Sequence, residues 1–234
     1  MEGLRLHKMN RIRTGLAVAL AMLLAPAGML AQGGQLSETV KRLDAASAKF
    51  RSAEADLKKD FYERVVKDTT TQTGRTYFLR TGSSTQFGAK INPPDEQVVE
   101  YKDGLVRLYR PGTNTLTTYS ASQNQAAVET FLTLGFGGSG SDLVKSWNVD
   151  DQGSEMMSDG KNQVKVQRLV LTPKQKGTFT QVTLWVDLDR GVALKQEFIM
   201  TDGNKQTATY TNIRYNQKID MKPYEIKCKG KCSS

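Results

Sequence analysis

One stretch constrains the architecture more than any other. Val182 to Thr201 reads VTLWVDLDRGVALKQEFIMT. Its even positions outside the turn are Val182, Leu184, Val186, Val192, Leu194, Gln196, Phe198 and Met200, and all but Gln196 are apolar. Successive side chains of a strand point to opposite faces, so this spacing predicts a long antiparallel hairpin with one apolar face. A register pairing Val186 with Val192 keeps the even residues together and leaves Asp187 to Gly191 as the loop. Such a face has to be covered. Either the sheet closes into a barrel or sandwich, or it curls and a few helices cover it. In the second case the face is either a dry core or a cavity for an apolar guest.

The rest of the chain alternates in the same way. The spacing of Leu36, Val40, Leu43 and Phe50 predicts a helix from about Ser37 to Phe50. A strand is expected from Ala53 to about Val66, a hairpin turn over Asp68 to Gly74 (DTTTQTG), and a returning strand over Arg75 to Arg80. Residues 97–101 and Leu105 to Arg110 flank Asp103-Gly104, a strong hairpin signal. Pro111-Gly112 turns the chain into Thr115 to Tyr119. Ala126, Ala127, Val128, Phe131, Leu132 and Leu134 then form a helix-like cluster, and Asp142 to Trp147 a short helix capped by Ser141. Asp150-Asp151 lies in a polar stretch and reads as a turn. Strands resume at Val164, and Thr207 to Tyr215 alternates again.

Between the two helical pieces stands LGFGGSGSDL, which matches G-x-G-x-x-G as text. A dinucleotide loop follows a strand and opens the helix of a parallel unit. Here the glycines follow a helix-like segment among antiparallel hairpins, and no P-loop lysine comes after them. A flexible joint within a movable cover is the expected role.

The N-terminus carries Arg5, Lys8, Arg11 and Arg13, then an apolar run from Leu16 to Leu24, then Ala25, Ala27, Gly28 and Ala31. These are the parts of a signal peptide, and the run is short for a span of about 20 residues. Residues 1–31 are therefore expected to be removed on export, leaving a single domain over 32–234. The formal net charge of +9 falls to about +6 once a segment with four basic residues and one acidic residue is removed. No basic run with interleaved aromatics speaks for nucleic acid. His7, the one histidine, lies in the signal. Serine–histidine catalysis, cysteine–histidine catalysis and histidine-ligated metals are thus unexpected, and no carboxylate pair clusters. No enzyme, cofactor or metal site is anticipated.

Taken in order, these pieces resemble the periplasmic outer-membrane lipoprotein carrier family (LolA). The resemblance rests on VKRLDAASAKFRSAEADLKKDF (40–61), GRTYFLR (74–80), PPDEQVVEYKDGLVRLYRPGTNTLTTY (93–119), RLVLTPK (168–174) and FTQVTLWVDLDRGVALKQEF (179–198). It implies a mainly β fold, an unclosed antiparallel half-barrel under a helical lid. It also implies a periplasmic monomer that carries acylated lipoproteins from an inner-membrane ABC transporter to an outer-membrane acceptor. On that reading Val182, Leu184, Val186, Leu194, Phe198 and Met200 line the cavity, and Val128, Phe131, Leu132 and Leu134 form the inner face of the lid. The family's arginine at the end of the second strand, which bonds the lid, matches Arg80. This sequence departs from the family around that position, with Leu79 and Thr81 in place of the lysine and proline and with Phe87 as the one aromatic just beyond. A second reading is an envelope-stress regulatory module, or another lipid-binding module, on the same half-barrel.

The tail ends KCKGKCSS. An exported protein most simply pairs Cys228 with Cys232. An extended strand holds such residues about 13 Å apart, so a bridge requires a turn at Lys229-Gly230-Lys231. The alternative is a reactive dithiol, with the neighbouring lysines favouring thiolate.

Overall fold

The computed structural model describes residues 28–82, 84–120 and 134–233. Eleven strands form one antiparallel sheet in the order β6-β5-β4-β3-β2-β1-β11-β10-β9-β8-β7. They are β1 Ser52–Glu63, β2 Asp68–Thr81, β3 Ser84–Ile91, β4 Gln97–Lys102, β5 Leu105–Arg110 and β6 Thr115–Ser120. After them come β7 Trp147–Ser158, β8 Gln163–Pro173, β9 Phe179–Asp187, β10 Val192–Met200 and β11 Lys205–Tyr215. Helix α1 spans Gly28–Lys49 and α2 spans Gly140–Ser146.

The order states the topology. The chain starts mid-sheet, meanders out to β6 at one edge, returns at β7 on the opposite edge and winds inward until β11 meets β1. The connection from β6 to β7 therefore has to travel from one edge to the other. The sheet is unclosed and curled, with a helix packed on one face. Register shifts at Glu54/Asp56, Asp151/Ser154, Ala193/Lys195 and Ile199/Met200 insert bulges, which sharpen twist and bend.

Several expectations change. The first hairpin turns at Arg64–Lys67, and 68–74 belongs to β2, with Glu63 opposite Asp68. Lys67 takes the positive φ of 55° that closes the turn, while Thr69, Thr70, Thr71 and Thr73 are β-branched and suit a strand. Strand β3 carries no clean alternation and was not anticipated. Asp150 and Asp151 lie inside β7 rather than at a turn. Their polarity marks a bulge, where Gly153 takes φ 85° and its N–H donates to the Asp151 carboxylate at 3.0 Å. Helix α2 is capped by Ser139, whose hydroxyl accepts from the Asp142 N–H at 3.0 Å, and not by Ser141. Ser141 instead binds the Asp44 carboxylate through its own N–H and hydroxyl. The helix-like cluster at 126–134 lies outside the described residues apart from Leu134.

The β9–β10 hairpin pairs Asp187 with Val192 and Val186 with Ala193, one position off the expected register. A bulge at Leu194 then restores even-to-even pairing, with Gln196 opposite Leu184 and Phe198 opposite Val182. The consequence is a swap of faces. Val182, Leu184, Val186, Val192, Ala193 and Phe198 join the main core, whereas Leu194 joins Val166 and Trp185 in a small cluster on the other face. There Trp185 lies between the Arg168 guanidinium, 5.6 Å from its ring, and the Lys195 ammonium at 4.4 Å.

Candidate functional site

The face under α1 is apolar from strand to strand. Leu169 and Leu171 of β8, Leu184 and Val186 of β9 and Val192 of β10 meet Leu43 and Phe50 from the helical side. Between them lies a cavity of about 480 Å³ lined by Leu43, Leu134, Leu143, Leu169, Leu184 and Val186. Its mouth is polar, with Ser47, Arg80, Ser139 and Asp142 around it.

Arg80 bonds across this mouth. It stands near the end of β2, in the half of the sheet opposite the cavity's strands, and its side chain reaches back over the face. Nη1 donates to the Ser47 carbonyl at 2.5 Å and Nη2 to the Gly137 carbonyl at 2.5 Å. Nη2 also lies 3.4 Å from the Ser47 hydroxyl, which itself donates to the Gly137 carbonyl at 2.6 Å. The guanidinium carbon sits 5.6 Å from the Phe50 ring centroid. One side chain thus joins three elements: β2, the end of α1 and the glycine-rich segment. The planar fork of arginine is suited to bonding two carbonyls at once.

The glycine-rich segment is part of the wall. The Gly135 carbonyl accepts from the Ala193 N–H at 2.6 Å, and the Gly137 N–H donates to the Gly191 carbonyl at 3.0 Å. Phe136 between them is fully buried and stacks on Phe78 at 3.8 Å, with Tyr210 edge-on at 4.8 Å. The sequence reading took these glycines for a flexible joint. Their requirement in the structure is steric. Gly137 has φ 74°, and a Cβ there would clash with the Phe50 ring, 2.3 Å from its nearest carbon. At Gly140 a Cβ would lie 2.5 Å from the Val40 carbonyl oxygen, so α2 can approach α1 only through a glycine.

A buried polar tie fixes the start of this segment. Gln196 Nε2 donates to the Leu134 carbonyl, and Gln196 Oε1 accepts from the Tyr210 hydroxyl at 2.7 Å. Burial pushes the Tyr210 phenol well up, so it stays a neutral donor. The one polar member of the predicted apolar face is therefore the residue that holds the cover.

Of the residues named from sequence, Leu184, Val186 and Leu134 line the cavity and Arg80 stands at its mouth. Val182 and Phe198 belong to the same apolar cluster, where Phe198 packs on Phe179 at 5.4 Å. Leu194 faces the opposite side, displaced by the bulge, and Met200 is half-buried outside that cluster. Val128, Phe131 and Leu132 lie outside the described residues. Leu43, Leu143 and Leu169 were not named for the site. The helical stripe of α1 and the alternation of RLVLTPK carried the signal for Leu43 and Leu169.

Cys228 and Cys232 are joined in a disulfide with Cα atoms 5.2 Å apart, and Gly230 takes φ 73° in the intervening turn. Among the described residues no group of three or more histidine, cysteine, aspartate or glutamate side chains could hold a metal. No described helix is long and apolar enough to cross a membrane.

These features define a class: a curled, unclosed antiparallel sheet that holds an apolar cavity under a helix and a cross-bonded cover. Solved structures share the fold. MucB superimposes with a TM-score of 0.53 at 14% identity, over 86% of this chain and 65% of MucB. A chain of the complex structure of Pseudomonas aeruginosa MucA/MucB gives 0.52 at 14% identity, over 82% of this chain and 61% of that one. The chain thus spans just under two thirds of the MucB length. The LolA superfamily protein NE2245 from Nitrosomonas europaea is also among the structural neighbours, at 14% identity and TM-score 0.37, over 82% of this chain and 97% of that one. No protein-family model and no curated protein sequence matches the chain.

Proposed function

We propose that this protein is a periplasmic carrier that holds the acyl chains of lipoproteins in the α1-covered cavity and ferries them from the inner to the outer membrane. The observation that carries the reading is the cavity itself. A partly open cavity of about 480 Å³ combines leucine and valine side chains with the backbone of the glycine-rich segment and a few polar side chains, Ser47, Arg80, Thr85, Ser139 and Asp142. Ligand pockets typically span about 300–1,000 Å³ and combine an apolar lining with a few placed polar groups. Each buried CH₂ contributes about 0.8 kcal/mol, so an acyl chain crosses water only inside such a container. Binding and release without covalent chemistry suffice, and neither an enzyme activity nor a cofactor belongs to this reading. The carrier works as a monomer. An inner-membrane ABC transporter would load it and an outer-membrane acceptor would unload it.

The test is native mass spectrometry of protein purified from its own envelope, joined to fractionation of a depletion strain. Co-purifying acylated peptide, with lipoproteins stranded at the inner membrane on depletion, is the expected result. Protein that never carries an acylated species, in a strain whose lipoproteins still sort, overturns the reading.

The fold shared with MucB, which forms a complex with MucA, favours a second reading as a regulatory module that binds a signalling protein. Capture of an envelope signalling protein by the ligand-free form, with lipoprotein sorting intact on depletion, would select it.

A further inference from the structure

After β11 the chain leaves the sheet and runs back across the face turned away from α1. Its path is pinned at three stations. At the first, the Ser52 hydroxyl donates to the Gln217 carbonyl at 2.8 Å. At the second, a single 3-10 turn at Lys222–Tyr224 packs on β3 and β4. Tyr224 is buried there, its ring edge-on to Tyr77 at 4.7 Å and its hydroxyl donating to the Glu54 carboxylate at 2.6 Å. The same carboxylate, itself buried in β1, pairs with Arg214 of β11.

The third station is the disulfide ring, and one side chain reads it. Asn114, in the turn between β5 and β6 at φ 51°, donates through Nδ2 to the carbonyls of Lys229 and Lys231, both at 3.1 Å. Its Oδ1 accepts from the Lys229 N–H at 2.9 Å and from the Tyr109 hydroxyl at 3.0 Å. Its own carbonyl accepts from the Ser233 N–H at 3.1 Å. The Ser233 carbonyl in turn accepts from the Leu116 N–H at 2.9 Å, which lays the end of the tail along the edge strand β6.

Two carbonyls two residues apart converge on one amide only while the chain between them is bent. The Cys228–Cys232 bond enforces that bend. Without it, the exposed Lys229 and Lys231 repel each other and the segment gains conformational freedom, both of which disfavour the bend. The ring is too small to constrain much of the unfolded chain, so its effect is local to the tail. We infer that the Cys228–Cys232 disulfide is a redox-controlled clasp: oxidised, it presents the ring to Asn114 and holds the last residues of the tail against the β5–β6 turn and the β6 edge; reduced, it releases that stretch, beyond the Tyr224 anchor, and uncovers the edge.

Release is a two-electron exchange with a dithiol reductant. A reductant thiolate attacks the sulfur of one cysteine, which breaks the Cys228–Cys232 bond, forms a mixed disulfide and releases the other cysteine as a thiolate. Its second thiolate then attacks the reductant sulfur of that mixed disulfide, closes the reductant's own ring and displaces the remaining cysteine thiolate. Two protein thiols and the cyclic oxidised reductant remain, and the two protons of the dithiol pass to the protein sulfurs. Lys229, Gly230 and Lys231 are exposed, so a reagent can approach the ring. The opened edge would offer the Asn114 carbonyl and the Leu116 N–H to another strand.

The experiment is hydrogen exchange followed by mass spectrometry on the mature protein. It is run oxidised, in dithiothreitol, and as the Cys228→Ser/Cys232→Ser and Asn114→Gly variants. Glycine at 114 keeps the positive φ and removes only the side-chain clamp. The expected result is a rise in exchange of about tenfold or more at Leu116, Lys229 and Ser233 in all three perturbed forms. The rest of the sheet stays protected and the far-ultraviolet circular dichroism is unchanged. Equal protection in oxidised and reduced protein overturns the clasp, as does wild-type protection in Asn114→Gly. Loss of the whole sheet on reduction also overturns it, because the bond would then be a general fold determinant.

Discussion

Arg80 and Phe136 do opposite things to the cavity. Arg80 bonds across its mouth, and Phe136 fills the apolar face next to it. Hydrogen bonds from a charged donor contribute about 1.5–3 kcal/mol each. Arg80→Leu removes two of them and leaves the Ser47 and Gly137 carbonyls dependent on water. Because Arg80 is half-buried and water replaces part of what is lost, the change should lower stability by about 1–3 kcal/mol, less than the sum of the two bonds, in urea unfolding, and speed the release of a fluorescent fatty acid in stopped flow. Arg80→Lys should fall between, because an ammonium cannot fork to both carbonyls. Unchanged release in the leucine variant would end the latch role. Phe136→Ala should cost about 3–5 kcal/mol as a cavity mutation, while fluorescent fatty acid binds at least as tightly because apolar space has been added. Weaker binding in a variant that is still folded would show that the Phe136 ring is a contact surface and does not occupy ligand space.

At the scale of elements, α1 is docked by a carboxylate as well as by its leucine stripe. Asp151 in the β7 bulge accepts from Thr39 Oγ1 at 2.7 Å and Gln35 Nε2 at 2.9 Å on the helix, and from Gln167 on β8. Burial pushes its carboxyl up, but the hydrogen bonds from Thr39, Gln167, the Gly153 N–H and Gln35 outweigh burial and hold it below the ordinary value. A carboxyl whose folded pKa is depressed contributes stability that is present above its unfolded pKa of about 3.9 and is lost as pH falls through the folded value. Urea midpoints followed from pH 6 downward should therefore decline below about pH 4, and Asp151→Asn should flatten part of that decline. An identical acid limb in the variant would remove Asp151 as its source. Gly137→Ala tests the close approach of the glycine segment to α1. It combines a positive φ with a clash against Phe50, and should destabilise by more than about 1 kcal/mol, against a few tenths at exposed Gly112.

For the whole molecule, the cavity is formed where α1 and the glycine-rich segment lie over β8 and β9, segments distant from one another in the chain. A guest in that space stabilises the folded state alone. At a hundredfold excess over Kd it should add about 2.7 kcal/mol, a rise in Tm of about 5–10 °C for a domain of this size. Differential scanning calorimetry with palmitate, and with a polar molecule of equal size as control, checks this. No shift with palmitate would argue against an acyl guest.

The sequence alone determined what alternation and turn chemistry can encode: a mainly antiparallel sheet, the hairpin at Asp103-Gly104, a helix under Leu43 and Phe50, and apolar faces on β8 and β9. It also placed Arg80 at the end of its strand, through resemblance. The tertiary structure decided whatever depends on a partner distant in the chain. The bulge that turns Leu194 away from the other even positions has no local signal, because a single inserted residue preserves the composition and reverses the face. The glycines of LGFGGSG read as freedom until Phe50, Ala193 and Val40 are set against them. Asn114 looks like an ordinary turn residue until the cysteine ring arrives from the other end of the sequence. Periodicity is a property of neighbours along the chain; a cavity and the hydrogen bonds of Arg80 and Asn114 are made where separate segments meet.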